Sequence, residues 1–593
     1  VQGTRVHPRR SAHRGAAVSA VDKARRWLAI DPDPETRAET RALIESGDRV
    51  ALEARFGGGL QFGTAGLRGL LGAGPNRMNR VTVSRTTAGL CAWLKERVPD
   101  AQTRGICVGR DARPKSDLFQ RDVIEVATAA GIPVLAFDDV VPTPVLAFSV
   151  LRLRAAGGVM ITASHNPPGY NGYKVYWENG AQIIGPDDVG IAACIEAGPA
   201  DPPRLAIDEA RALELVRRID SIREQYVTAI ADGLENDKAR ASIRIAYTAL
   251  HGVAESVLRA VFARAGFDDV QSVEEQAEPD GAFPTVRFPN PEEPGAMDRV
   301  LELGARIGAH LVIANDPDGD RVGAAAPGPN GFELLSGNEI GMLLADDLLS
   351  DSPDGARPLV LSTLVSTPML GTIAAHYGAR WERTLTGHKW IQNRALELVA
   401  EGYTFRFGYE EALGYATSTA VRDKDGISAA LRLADMAARR ASRGQTLLDA
   451  RDSLFERYGV WVDRQVSVRF DGEDADRAMS ASVDRVRDQP PRSVGGHRVL
   501  RMLDLGRQTA WTPDGEYPAT QMPPSNLLIF ELEGGHRAML RPSGTEPKLK
   551  LYFYAAAPPG KGTTLDEQKR AARVTLEAMV SDLTRASAAK QPR

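Results

Sequence analysis

Gly105-Ile-Cys-Val-Gly109 reads as a short apolar strand, residues 118–130 as an amphipathic helix, and Ile132-Pro-Val-Leu-Ala-Phe137 as the next strand. The same grammar recurs along the chain. A strand at 243–247 is followed by a helix at 254–265, a strand at 311–314 runs into an acidic loop, and a strand at 359–362 precedes a helix at 368–377. Strands alternating with helices of this length predict βαβ units and mostly parallel sheets. After Tyr458 the pattern changes to strands separated by turn residues, with a helix at 565–585, which predicts a smaller α+β domain. Residues 27–56 read as helical and polar on much of their surface, a leader packed onto the first domain.

At 593 residues the chain is long enough for several domains of ~100–200 residues each. A net charge of −4 supplies no strong positive field, which argues against nucleic acid as the main partner. Cys91, Cys107 and Cys194 are too few and too scattered for a disulfide framework or a zinc site, so a reducing, cytoplasmic setting is expected. No stretch approaches the ~20 uninterrupted apolar residues of a membrane helix; 134–153 is broken by Asp138, Asp139, Pro142 and Pro144. Residues 1–20 carry Arg5, Arg9, Arg10 and Arg14 with no acid before Asp22, and are expected to be a disordered tail rather than a transit peptide.

Four segments carry chemistry. Thr162-Ala-Ser-His-Asn-Pro-Pro168 follows the apolar run Gly158-Val-Met-Ile161, so Ser164 sits where parallel sheets place active sites, with His165 beside it and Lys174 ten residues on. A serine hydroxyl needs a base or strong electrostatics to act as a nucleophile. The Gly-x-Ser-x-Gly elbow of acyl hydrolases is absent. Taken alone, the segment reads equally well as a polar turn.

Asp316-Pro-Asp-Gly-Asp-Arg321 sets three carboxylates at alternate positions, a pattern that suits a hard cation such as Mg²⁺. A calcium EF-hand fails, because the sixth position is Arg321 rather than glycine and the twelfth is Pro327 rather than glutamate. Arg541-Pro-Ser-Gly-Thr-Glu-Pro-Lys548 offers a guanidinium, two hydroxyls and a glycine, the parts of a phosphate cradle or of a tight turn. No Walker phosphate loop occurs, so ATP is not the expected phosphoryl donor. Thr384-Leu-Thr-Gly-His-Lys-Trp-Ile391 and Phe407-Gly-Tyr-Glu-Glu-Ala-Leu-Gly414 add Thr386 and Gly387 as substrate-binding residues, His388 as a group able to exchange a proton, and Glu410 and Glu411 as acceptors for sugar hydroxyls.

Together, and in this order, these segments resemble the α-D-phosphohexomutase superfamily of phosphoglucomutases and phosphomannomutases. Phe62-Gly-Thr-Ala-Gly-Leu-Arg-Gly69 is similar to its opening signature, and the likeness runs from about Phe62 to Tyr554. The leader and the Leu-Arg-Gly form of that signature look closer to the phosphoglucomutase/phosphopentomutase branch. The resemblance implies four domains around a central cleft: three α/β domains of shared topology and a C-terminal α+β domain like the TATA-binding protein. The expected divisions are 21–232, 233–340, 341–458 and 459–593.

It further implies a phosphorylated Ser164, Mg²⁺ held by Asp316, Asp318, Asp320 and the Ser164 phosphate, and Arg68 and Arg321 beside the transferring phosphoryl group. Lys174 and His388 match proton-transfer groups, with Lys174 a base only if neighbouring cations depress its pKa. Glu410 matches the sugar-binding glutamate, and Arg541, Ser543, Gly544 and Thr545, with Lys548 nearby, the clamp on the resident phosphate. The implied activity interconverts sugar 1- and 6-phosphates, glucose preferred, with ribose or deoxyribose 1- and 5-phosphates as further substrates and a sugar 1,6-bisphosphate as activator. A phosphomannomutase of the same mechanism is the alternative; an inactive phosphosugar-binding homologue or a phosphatase is more distant. Ala412 stands where many members have serine, and His388 where the pentomutase branch often has an aromatic residue, so the sugar stays open. A monomer or dimer is expected.

Overall fold

The computed structural model describes residues 19–61, 66–232, 238–470, 474–513, 515–518, 522–542, 548–558 and 562–587. Part of the opening signature, and Ser543, Gly544 and Thr545, lie outside them, as do residues 1–18 of the expected tail. Ala20 already begins a helix, capped by the Ser19 side chain.

One topology is used three times. In the first sheet Ile106–Arg110 is flanked by Val134–Ala136 and Gly157–Ile161, all parallel, and Tyr170–Trp177 runs antiparallel beside Gly157–Ile161. In the second, Arg244–Thr248 is flanked by Asp269–Ser272 and Leu311–Asn315, with Val322–Gly328 antiparallel to the latter. In the third, Pro358–Thr363 lies between Arg380–Thr384 and Thr404–Glu410, with Gly414–Ala416 antiparallel to Thr404–Glu410. Each unit is therefore ordered second–first–third–fourth, the fourth strand reversed. The edge hairpin Gly331–Leu335 makes the second sheet half antiparallel, which corrects the expectation of mostly parallel sheets there.

This repetition positions the chemistry. Ser164 lies in the turn between the third and fourth strands of the first unit, the three aspartates in the same turn of the second, and Glu411 and Ala412 in that of the third. All three turns leave the carboxyl end of a parallel strand, where unpaired backbone groups face a crevice. The strands feeding the first two are buried at every position because layers cover both sheet faces.

The fourth domain is a wholly antiparallel sheet, in which Lys548–Ala557 lies between the edge strand Val460–Arg469 and Arg537–Pro542. Its period-two alternation buries both faces. Leu540 and Phe553 pack under the helices Ala475–Asp488 and Leu565–Ser587. Met539, Tyr552 and Tyr554 pack on Leu364 and Val365 of the third domain, and Tyr554 Oη donates to Val365 O.

The leader is three helices, Ala20–Ile30, Pro34–Ser46 and Arg49–Phe56, rather than one run. Asp33, with Pro34 at the first helical position, and Asp48 cap the second and third by accepting backbone N–H bonds. Trp27 meets Phe56 edge to face at 6.1 Å, and Lys115 ties the leader to the first domain through Asp33 at 2.7 Å. Among the described residues no helix is long and apolar enough to cross a membrane.

Candidate active site

Ser164 is 2% exposed and occupies the left-handed region at φ 51°, a bend that costs a residue with a Cβ about 1–3 kcal/mol. Its N–H donates to Thr162 Oγ1 at 2.9 Å, and its hydroxyl donates to Asp316 Oδ2 at 2.7 Å. His165 Nδ1 is 3.3 Å from the same hydroxyl. Burial, then the nearby Arg321 and Arg68, push the His165 pKa well below its usual value, so the ring is neutral near pH 7.

Asp316, Asp318 and Asp320 are fully buried, and one carboxylate oxygen from each lies within 4.8 Å of the others. Gly319, at φ 73°, provides the bend that turns all three the same way. Thr143 of the first domain donates to Asp318 Oδ2 at 2.7 Å. Lys174 Nζ sits 2.7 Å from both Asp318 and Asp320, and Lys424 Nζ is 2.8 Å from Asp320. Burial and repulsion from Asp318 and Asp320 push the Asp316 carboxyl well above the usual range. At Asp320 burial acts the same way, but Lys174, Lys424 and Arg321 outweigh it and hold that carboxyl down.

The donor set fits a hard divalent cation: three carboxyl oxygens converge in a dry loop, and Asp318 Oδ1 and Asp320 Oδ1 have no hydrogen-bond partner among the described residues. Lys174 differs from expectation. Burial would lower its pKa, but Asp318 and Asp320 outweigh burial and raise it, so the side chain is held as an ammonium rather than tuned toward a base.

Arg68 and Arg321 flank the serine. Arg68 donates to Asn166 Oδ1 at 2.7 Å, and Arg321 donates to Ala412 O at 2.9 Å, joining the aspartate loop to the third domain. Arg68 Nε and Arg321 Nε are buried donors without a hydrogen-bond partner among the described residues, Asp320 Oδ1 lying 3.9 Å from the latter, and such donors suit an anionic ligand.

His388 opens the helix His388–Ala400 after Gly387 at φ 115°, and is 3% exposed. Its Nε2 lies 3.1 Å from Gly414 O. A carbonyl only accepts, so Nε2 carries the proton and Nδ1, which has no partner among the described residues, is the bare acceptor. Burial lowers the His388 pKa and keeps it neutral. A Cβ on Gly414 would meet Lys424 Cδ at 2.6 Å and Glu410 Oε1 at 2.9 Å, so His388, Glu410 and Lys424 gather around one glycine. Glu411 is engaged differently: its Oε2 accepts from Thr363 at 2.9 Å and Ser366 at 3.1 Å. Thr386 is half-buried just before Gly387.

From the fourth domain, Arg541 is the penultimate residue of one strand and pairs in register with Lys550 of the next, which begins at Lys548. Burial pulls the Lys550 pKa down, and the carboxylates acting on it are Glu411 and Glu292. Glu292 lies 3.9 Å from Arg321 Nη1.

Lys424, Asp423, Glu292 and Arg113 are the site residues that sequence reading missed. Lys424 sits in Arg422-Asp-Lys-Asp-Gly426, a charged run that reads as a solvated turn. Its position is set by Asp423, which accepts from Tyr176 and Gln182 of the first domain, both at 2.6 Å.

The comparisons with known proteins agree with this geometry. Residues 59–201, 224–328 and 336–458 match α/β/α domains I, II and III of phosphoglucomutase/phosphomannomutase. A phosphopentomutase of Pongo abelii is 34% identical over 563 residues, covering 90% of this chain and 91% of that protein. The chain belongs to the phosphoglucomutase/phosphomannomutase family. A glucose 1,6-bisphosphate synthase of Mus musculus is 32% identical over 91% of this chain and 90% of its own. The crystal structure of a phosphoglucomutase/phosphomannomutase family protein from Burkholderia thailandensis shares the fold, with a TM-score of 0.63 and 20% identity, over 88% of this chain and 95% of its own. As a member of this family the chain is a phosphosugar mutase, an intramolecular phosphotransferase.

Proposed function

We propose that the enzyme interconverts glucose 1- and 6-phosphate, with activity on ribose or deoxyribose phosphates, through a phosphoserine at Ser164 and a sugar bisphosphate. The observation that carries this reading is the buried Ser164 hydroxyl on Asp316, near the Nε donors of Arg68 and Arg321, which have no hydrogen-bond partner among the described residues. A nucleophile set among carboxylates and guanidinium groups suits phosphoryl transfer, which demands positioning and charge neutralisation more than covalent help.

In the forward half the Ser164 phosphoryl group passes to the free hydroxyl of the sugar phosphate. His388 Nδ1, a neutral acceptor, takes that hydroxyl's proton. The bisphosphate reorients, and its other phosphoryl group returns to Ser164 Oγ. As that bond breaks, the departing sugar oxygen takes back the proton held on His388 Nδ1, while Lys174 and Lys424, held as ammonium groups, donate hydrogen bonds to it. Arg68 and Arg321 stabilise the equatorial oxygens. Asp316, Asp318 and Asp320 with the serine phosphate would hold Mg²⁺, which when bound neutralises developing charge on the phosphoryl oxygens. Glu410 and Glu292 accept sugar hydroxyls, while Arg541 and Lys548, with Ser543, Gly544 and Thr545, grip the phosphate that is not transferred.

A sugar 1,6-bisphosphate would serve as activator by rephosphorylating Ser164. The C-terminal domain is read as the TATA-binding-protein-like module, on its antiparallel sheet backed by two helices. Three free cysteines, two of them buried, support a cytoplasmic enzyme, as monomer or dimer. The substrate assignment is tested by assaying glucose 1-phosphate, mannose 1-phosphate and ribose 1-phosphate side by side. Glucose should lead and ribose should be turned over; mannose as the best substrate would refute the assignment.

A further inference from the structure

Arg113 belongs to none of the loops assigned to the reaction, yet it is 3% exposed and its two terminal nitrogens are spent on the backbone of the serine loop. Nη1 donates to Pro167 O at 2.9 Å and Tyr170 O at 3.1 Å; Nη2 donates to Ser164 O at 2.6 Å and to Asn166 O. Asp111 Oδ2, 3.3 Å from Nε, balances the charge. The Phe283 ring, from the second domain, covers the guanidinium at 4.9 Å. That contact is tight: a Cβ on Gly281 would stand 2.3 Å from Ala112 O and 2.5 Å from Arg113 Cα.

Four carbonyl oxygens aimed at one point repel one another and, being buried, each need a donor. Only a planar cationic fork satisfies all four at once; a lysine ammonium has three tetrahedral donors and cannot. The left-handed bend at Ser164 is thus held by a group on a different loop, and that group is in turn pinned by the domain that carries the aspartates.

We infer that Arg113, clamped beneath Phe283, is a positioning residue for the phosphoserine. It keeps the Ser164 loop in one conformation whether the serine is phosphorylated or free, and it locks that loop to the second domain. It acts through the backbone and touches no substrate. The inference rests on the phosphoserine reading above.

The test uses the full-length chain, wild type beside Arg113→Lys and Phe283→Leu. The measurements are kcat, KM, the thermal unfolding midpoint, intact mass, and the phosphorus NMR signal of the Ser164 phosphate. Arg113→Lys should remain phosphorylated and keep KM within about twofold, while kcat falls about 10–100-fold, the scale expected of a misplacement of an ångström or less. Its phosphorus resonance should shift or broaden. Phe283→Leu, which keeps the guanidinium, should show a smaller loss in the same direction, and it carries the test if Arg113→Lys does not fold. Unchanged kcat in folded variants, a loss confined to KM, or a loss that matches the unfolded fraction with an unmoved resonance would overturn the inference. Absence of phosphate from wild-type Ser164 would instead overturn the underlying reading, and mass alone distinguishes that case.

Discussion

Ser164 Oγ donates a 2.7 Å hydrogen bond to Asp316 Oδ2, although 152 residues and a domain boundary separate the two. The contact exists because both residues occupy the same turn of a repeated unit, each leaving the carboxyl end of a third parallel strand. Joining two such turns face to face puts the serine hydroxyl onto the carboxylate loop, so that neither domain alone holds the whole cluster.

Removing an anionic ligand should expose the metal dependence. Asp318→Asn is expected to lower kcat at least about 10–100-fold, the cost typical of losing even an outer-shell support, with partial recovery at raised Mg²⁺. Dialysis against EDTA should abolish wild-type turnover. Full activity in metal-free enzyme would mean that the acidic loop is only a turn.

Lys424 and Arg541 should separate by kinetic parameter. Lys424→Met removes an ammonium from the reacting centre and should depress kcat with little change in KM. Arg541→Ala removes a charge-assisted contact worth about 1.5–3 kcal/mol and should raise KM for the monophosphate about ten- to a hundredfold. Steady-state kinetics on both variants decide this, and the reverse pattern would exchange the two roles.

His388 gives a pH signature. Its folded pKa lies below the ordinary value of ~6.5, first through burial and then through Lys424, so the basic form persists as pH falls through that value and is lost only below it. The wild-type kcat should therefore hold down to about pH 6.5. His388→Asn should lower kcat and remove the acid-side inflection. An inflection unchanged in His388→Asn would assign it to another group.

Ala412 offers a probe of selectivity. Its carbonyl accepts from Arg321, so the residue borders the site, and its own side chain offers the sugar no hydroxyl. Ala412→Ser should raise the hexose-to-pentose ratio of kcat/KM about two- to tenfold, the range of one neutral hydrogen bond of ~0.5–1.5 kcal/mol. Ratios that do not move would show that this side chain points away from the sugar.

Sequence was informative wherever a local pattern carried the meaning. Alternating strands and helices, the aspartates at every second position and the serine after an apolar run all depend on neighbours in the chain. What escaped depends on distant partners. Tyr170–Trp177 did not read as a strand because its interior includes Asn171, Gly172 and Lys174; Lys174 is buried there only because it reaches aspartates from another domain. Arg113 and Lys424 look like solvated charges until the carbonyls and carboxylates that surround them are assembled. Lys174 illustrates the same limit in electrostatics, since its residue type left the direction of its pKa shift open until Asp318 and Asp320 were placed beside it.

The central claim is that Ser164 carries the phosphoryl group between the two positions of the sugar. The direct measurement is peptide mass spectrometry of the purified enzyme, before and after addition of unphosphorylated-position sugar phosphate, with Ser164→Ala assayed in parallel. The account predicts phosphate on the Ser164 peptide of the resting enzyme, its loss to a sugar bisphosphate on mixing, and a fall of several orders of magnitude in kcat for Ser164→Ala. Wild-type turnover by Ser164→Ala, or a resting enzyme that never carries phosphate at this position, would contradict it.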